Sequence, residues 1–195
     1  MTDDWKQAWQ PVIEAVGTDF LPGEAPWGAD EVEKGTIRRF LEPLEFDCPL
    51  HYDREVATAY GYSDIIAPFS SYFTWTLPPI WRPGRRVFTS AERNAQPENS
   101  PIEHSALTGV QVPFAPPTTG YFATNLEIDY LQPVVVGDRL RWVGCKLLSC
   151  VPKETSVGRG AFMIWESEIH NQRGEAVARV HTGTYSYTPH PDQGG

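Results

Sequence analysis

From residue 122 to residue 187 the chain reads as four strands joined by short turns, and any fold it adopts must pair them. In 122–130, Phe122, Thr124, Leu126, Ile128 and Tyr130 alternate with Asn125, Glu127 and Asp129. That two-residue period puts the first set on one face of a strand and the second on the other. Pro133 and Gly137-Asp138 mark the next turn. A second strand covers 139–151, with Leu140 and Trp142 early in it, and 161–170 and 176–187 form the third and fourth. Asn171-Gln172-Arg173-Gly174 joins the last two as a tight hairpin, with Gly174 suited to the left-handed position. Cys145 and Cys150, five apart, fall on opposite faces of the second strand if its period is unbroken.

The preceding segments have a helical period. Trp5, Trp9, Ile13 and Val16 mark one helix that stops at Gly17. Residues 18–35 are rich in glycine, proline and acids, and read as a loop. Ile37, Phe40, Leu41 and Leu44 give a short helix bounded by Pro43 and Pro49. Asp53 suits the N-cap of a helix over 54–60, closed by Gly61. Pro68 opens a further helix, 69–77, which Pro78-Pro79 ends. Between 82 and 120, six prolines (Pro83, Pro97, Pro101, Pro113, Pro116 and Pro117) leave a long loop. Helices first and an antiparallel meander after make an α+β plan. The 195 residues suit one domain over 21–190, with a helical extension at 1–20 and a tail at 191–195.

Several function classes are disfavoured. A net charge of −9 argues against nucleic acid, which needs a basic stripe. No run of about 18 apolar residues spans a membrane. The acidic start, Met1-Thr2-Asp3-Asp4, lacks the basic and apolar regions of a secretory signal. Cys48, Cys145 and Cys150 are few, odd in number and not in metal-type spacing, as expected of reduced thiols in the cytoplasm. His104, His170, His181 and His190 have no helical i, i+4 pairing, so no metal is expected. Ser70 and Ser71 lack a Gly-x-Ser-x-Gly elbow, against a serine hydrolase.

Several runs resemble one known family. They are Ile37-Arg38-Arg39-Phe40, Asp47-Cys48-Pro49-Leu50-His51, Val56-Ala57, Gly61-Tyr62 and Ile65-Ile66-Ala67-Pro68. The stretches 131–140 (LQPVVVGDRL) and 171–178 (NQRGEAVA) follow. In order and spacing these resemble the N-terminal MaoC-like (FAS1-like) acyl dehydratase domain, over roughly residues 30–188, without the middle loop. The resemblance implies a hotdog fold: an antiparallel sheet around a central helix, here 69–77. It implies reversible hydration of an enoyl-coenzyme A thioester, a hydro-lyase activity with the thioester as substrate and no other cofactor. It also implies pairing, as a homodimer or with a second MaoC-like chain.

The family's hydratase motif runs Gly-Asp-x-Asn-Pro-x-His. Ungapped, it puts Glu45 at the Gly, Phe46 at the catalytic Asp, Cys48 at the Asn and His51 at the His. The histidine is kept and an aromatic ring stands where its carboxylate partner belongs. Asp47, less securely Glu45, is the neighbouring carboxylate that serves if the backbone differs locally. Amides near Ser70 and Ser71 are the candidates for holding the thioester oxygen. Tyr72 and Trp75, with Phe73 and Trp81, line the acyl tunnel if it follows the central helix; core packing is the other reading. Arg82, Arg85 and Arg86 are candidates to clamp the coenzyme A phosphates. Three functions stay open: a hydratase using His51 with Asp47 or Glu45, a non-catalytic acyl-binding subunit whose partner supplies the Asp/His pair, and a hotdog thioesterase.

Overall fold

The computed structural model describes residues 4–21, 25–79, 83–84 and 112–190. The four strands form where the alternation places them: β1 (Gly120–Tyr130), β2 (Leu140–Thr155), β3 (Gly158–Asn171) and β4 (Ala176–Pro189). They make one antiparallel sheet in the order β1-β4-β3-β2. The β3–β4 hairpin closes with Gly174 at φ 79°, its N–H donating to the Asn171 carbonyl at 3.0 Å. The buried Asn171 amide accepts from the N–H groups of Arg173 (3.0 Å) and Glu175 (3.1 Å). Asp138, 1% exposed, staples this hairpin to the turn before β2. Its carboxylate accepts from Arg173 Nη1 at 2.8 Å, Gln172 Nε2 at 3.1 Å and the Val135 N–H at 3.0 Å.

Bulges correct two expectations from simple alternation. In β1 a register shift between Ala123 and Asn125 separates Phe122 from the rest of its set. Leu126, Ile128 and Tyr130 pair with Thr182, Val180 and Ala178 on the inner face. Phe122 pairs with Tyr185 on the outer face, 5.5 Å and 5.7 Å from the Tyr185 and Tyr187 rings. In β2, shifts between Val143 and Lys146 and between Leu147 and Ser149 each insert a residue. Gly144, at φ 66°, supplies the left-handed conformation for the first. The inner face therefore runs Leu140, Trp142, Cys145, Leu147, Cys150, all buried. Cys145 and Cys150 share a face instead of opposing each other. Both are free thiols, and burial pushes each pKa to about 11. Asp19 accepts from the Cys145 N–H at 2.7 Å, and Gly17, Thr18 and Phe20 exchange backbone bonds with Cys145 and Leu147. The edge of β2 is thereby covered where it is bulged.

The helices also depart from their simplest reading. The expected first helix is two, α1 (Asp4–Gln7) and α2 (Gln10–Glu14). Pro11 lies in the first turn of α2, where its missing N–H breaks no bond, and the chain restarts there. Trp9 and Val12 are buried while Val16 is exposed. With Cys145, Leu147, Cys150, Met163 and Trp165 they form one core cluster. α3 (Lys34–Leu41) buries Ile37 and Leu41, and α4 (Arg54–Ala59) has Asp53 as its cap, accepting from the N–H of Glu55 at 2.8 Å.

The central helix is a 3₁₀ helix over Phe69–Thr76. Its Ser, Thr and aromatic residues are indifferent α-formers. The hydroxyls of Ser71 and Thr76 bond carbonyls three residues back, which suits the tighter turn. Its buried side chains Tyr72 and Trp75 join Leu140, Trp142, Ile169 and Val180 in the second core cluster. Gly28 lies against this helix, where a Cβ would meet the Trp75 carbonyl oxygen at 1.7 Å. No helix among the described residues is long and apolar enough to cross a membrane.

Two outcomes test this account. Asp138→Ala leaves Arg173 Nη1, Gln172 Nε2 and the Val135 N–H without their acceptor and is expected to cost about 2–4 kcal/mol in urea unfolding; a loss below about 0.5 kcal/mol contradicts the staple. On the outer face Glu168 accepts from His170 Nε2 at 2.9 Å and Arg179 Nη2 at 3.1 Å. These bonds, the His170 one foremost, hold its carboxyl below the usual range. Its contribution is therefore present above the ordinary carboxylate pKa of about 4.3 and disappears as pH falls through the lowered value. The stability gap between wild type and Glu168→Gln should close on acidification, and a gap unchanged down to about pH 2 contradicts the assignment.

Candidate functional site

Pro49 starts a one-turn 3₁₀ helix, Pro49–His51, that turns His51 inward to 7% exposure. Its Nδ1 lies 2.8 Å from the Ile66 carbonyl oxygen. A carbonyl only accepts, so Nδ1 carries a proton and Nε2 is the nitrogen left to exchange one. The Ile66 carbonyl is itself held. Ile66 bridges to Val135, the Ile66 N–H donates to the Leu50 carbonyl at 3.2 Å, and the Ala67 N–H donates to the Val134 carbonyl at 2.7 Å.

Among the described residues no carboxylate joins the imidazole. Its ring neighbour is Phe46, with centroids 5.6 Å apart and planes tilted by 49°. Tyr52 Oη donates to the Phe46 carbonyl at 2.7 Å and pins that residue's backbone. Glu45 takes the left-handed conformation at φ 50°, closing the turn after Leu44. Asp47 and Glu45 are both exposed, and neither carboxylate bonds His51 or any other described residue. The structure thus brings together His51, Phe46, Tyr52 and the Ile66 carbonyl, and leaves the two candidate carboxylates outside that group.

The other expected site residues separate. Ser71 is buried, and its N–H and hydroxyl both donate to the Pro68 carbonyl, so its amide is already used. Ser70 is exposed in the first turn, where helical N–H groups have no intrahelical acceptor. Tyr72 and Trp75 lie in the core at 1% and 4% exposure. The Tyr72 hydroxyl donates to the Gln132 carbonyl at 3.0 Å and accepts from the Val134 N–H at 2.9 Å. Burial raises its pKa well above that of an ordinary phenol. Arg82, Arg85 and Arg86, Trp81 and His104 lie outside the described residues. His170 and His181 bond Glu168 and Glu166, and no cluster of three metal-ligating side chains exists among the described residues.

An apolar surface that sequence reasoning did not single out runs beside this group. Phe69, at the start of the central helix, lies 5.1 Å from Tyr130 with the ring planes tilted by 45°, and both are exposed together with Leu126 and Leu131. The signal lay in the apolar alternation of β1, which marks a face without saying what covers it.

Residues 15–180 match the family model described as FAS1-like, dehydratase domain region. The chain is 29% identical over 157 residues to a probable enoyl-CoA hydratase alpha subunit of Thermomonospora curvata, covering 80% of this chain and 45% of that protein. It thus spans less than half the length of that relative. Among solved structures it resembles a chain of the ChsH1-ChsH2 complex from Mycobacterium tuberculosis, with TM-score 0.61 and 22% identity over 96% of this chain and 98% of that one. It also resembles the MaoC-like dehydratase from Rhodospirillum rubrum, with TM-score 0.52 and 22% identity over 91% and 94%. Both are likenesses of fold, and the fold is the hotdog.

The tautomer is directly measurable. A ¹⁵N-resolved histidine spectrum of the neutral imidazole should show His51 with the proton on Nδ1, and a proton on Nε2 would remove the Ile66 anchor from the account.

Proposed function

The chain belongs to the FAS1-like dehydratase family and is a MaoC-like hotdog dehydratase in fold, and from that premise we propose that it is the acyl-thioester-binding member of a two-chain enoyl hydratase. The observation that carries this reading is the Phe46 ring against His51, with Asp47 and Glu45 exposed and unbonded. Hydration adds hydroxide to the β-carbon and a proton to the α-carbon of the enoyl thioester. It needs a base for water and a donor for the α-carbon. A carboxylate and a histidine sharing one water do both. His51 alone, with Nε2 unbonded among the described residues and a phenyl ring beside it, lacks the second group.

In this reading a second MaoC-like chain supplies the complete Asp/His pair, and this chain contributes the acyl pocket. Two observations favour pairing. β1 pairs only with β4 among the described residues, so one edge of an 11-residue strand carries unpaired backbone groups. The exposed Phe69, Leu126, Tyr130 and Leu131 form an apolar surface next to that edge. The relative from T. curvata is described as an alpha subunit, and the M. tuberculosis structure is of a two-protein complex. The thioester oxygen is taken to sit near the first-turn amides of the central helix, at Phe69 and Ser70, where developing charge meets free N–H groups. Coenzyme A is the carrier in this reading, with Arg82, Arg85 and Arg86 as candidates for its phosphates.

The test uses the purified chain with crotonyl-CoA and a bulkier, ring-bearing enoyl-CoA, following conjugated absorbance and free thiol. Alone, the chain should bind the thioesters without hydrating them. Adding a second hotdog chain with an intact Gly-Asp-x-Asn-Pro-x-His motif should start hydration, and His51→Ala in this chain should change kcat by less than about tenfold. Hydration by the lone chain, lost in His51→Ala, returns the catalytic reading with Asp47 or Glu45. Release of coenzyme A makes the chain a thioesterase instead.

A further inference from the structure

A concave pocket of about 470 Å³ lies at the far end of the sheet from His51. β4 begins beside Leu131, next to the His51 group, and ends at Pro189 in the wall of this pocket. The two share no residue. The remaining walls come from α1 and the start of α2, through Trp5 and Trp9, from Pro116 and Pro117, and from Arg159 and His190 at the sheet end. Its size lies within the range of small-molecule sites.

The chemistry of the walls is specific. Indoles and proline rings give flat apolar surfaces suited to a planar ring. Arg159 supplies charge with its geometry already set. Its Nε forms an ion pair with Glu154 at 3.1 Å, which orients the guanidinium, and its terminal nitrogens have no partner among the described residues. The guanidinium carbon sits 5.9 Å from the Trp5 ring, and Lys6 Nζ sits 5.5 Å from the same ring. His190 is held by its Nε2 at 2.9 Å from the Thr155 carbonyl, so that nitrogen carries the proton. Trp5 Nε1 is shielded from water and finds no acceptor among the described residues. That N–H faces the protein interior and not the pocket, so the charged contact open to a ligand is that of Arg159.

We propose that this pocket is a second ligand site, for a planar aromatic carboxylate. The ring lies between the indole and proline walls, and the carboxylate takes the free edge of the Arg159 fork. Glu154 engages only the Nε side of the Arg159 guanidinium, which leaves its outer nitrogens to meet an anion. The site is independent of the acyl-thioester reading and stands or falls on its own residues.

1-Naphthoate is the probe, titrated into the full chain while the indole N–H signals are followed by NMR, with Trp5 assigned through Trp5→Phe. The expected result is saturable one-to-one binding with the Trp5 signal moving most. Arg159→Gln, at an exposed position that leaves folding intact, should weaken binding by about tenfold or more. The uncharged 2-naphthylmethanol and the ringless hexanoate should each bind at least about tenfold more weakly than the probe. Binding without saturation, a Trp5 signal that stays still, or equal affinity in Arg159→Gln overturns the proposal.

Discussion

Burying the phenol of Tyr72 obliges the structure to satisfy its hydroxyl, and the way it does so organises everything around His51. A buried hydroxyl left unbonded costs on the order of 1–3 kcal/mol. Here it bonds twice, to the Gln132 carbonyl and the Val134 N–H. That locks the central 3₁₀ helix to the turn between β1 and β2. The same turn holds the segment before the helix through Ala67 and Val134 and through Ile65 and Val136. The Ile66 carbonyl is fixed by those bonds, and it sets the tautomer and orientation of His51. A core residue therefore reaches the candidate site through three hydrogen bonds, linking the Tyr72 hydroxyl to Val134, Val134 to Ala67, and the Ile66 carbonyl to His51.

The sheet serves the same end by keeping one continuous apolar face. Without its two bulges β2 would turn Cys145 and Cys150 to opposite sides, and the cluster that seats Trp9 and Val12 would lose a wall. Each bulge releases a backbone group from the ladder, and at the first one Asp19 takes the Cys145 N–H. The edge of β2 is covered by residues 17–20, while that of β1 has no partner strand among the described residues. An unpaired strand on one side only is the kind of edge that a second chain can extend. It agrees with a chain that functions beside another of its kind, with a phenyl ring where a self-sufficient hydratase needs a carboxylate.

Much of the fold was legible locally. The four strands, the Gly174 hairpin and the Asp53 cap each depend on a few adjacent residues, and each formed where those residues indicated, while the helix expected to stop at Gly17 ends at Glu14 with Ala15 as its C-cap. The misreadings share a cause. The bulges at Ala123 and Gly144 insert a residue into a two-residue period, and the pattern carries no mark of it until a partner strand fixes the register. Pro11 split one helix into two, and the hydroxyls of Ser71 and Thr76 favoured 3₁₀ turns over α. At the site, the kept histidine and the displaced carboxylate were both visible in residues 45–51.

By itself, the sequence determined the strand order along the chain, the family, and the replacement of a carboxylate by Phe46 next to a retained His51. Those are properties of residue identity and short-range period. Only the tertiary structure decided that Asp47 and Glu45 stay in solvent, that Nδ1 of His51 is committed to the Ile66 carbonyl, and that Tyr72 is a core strut. The last two depend on partners 15 and 62 residues away in the chain. Such contacts are chosen by the requirement to satisfy every buried polar group at once, which no local window contains.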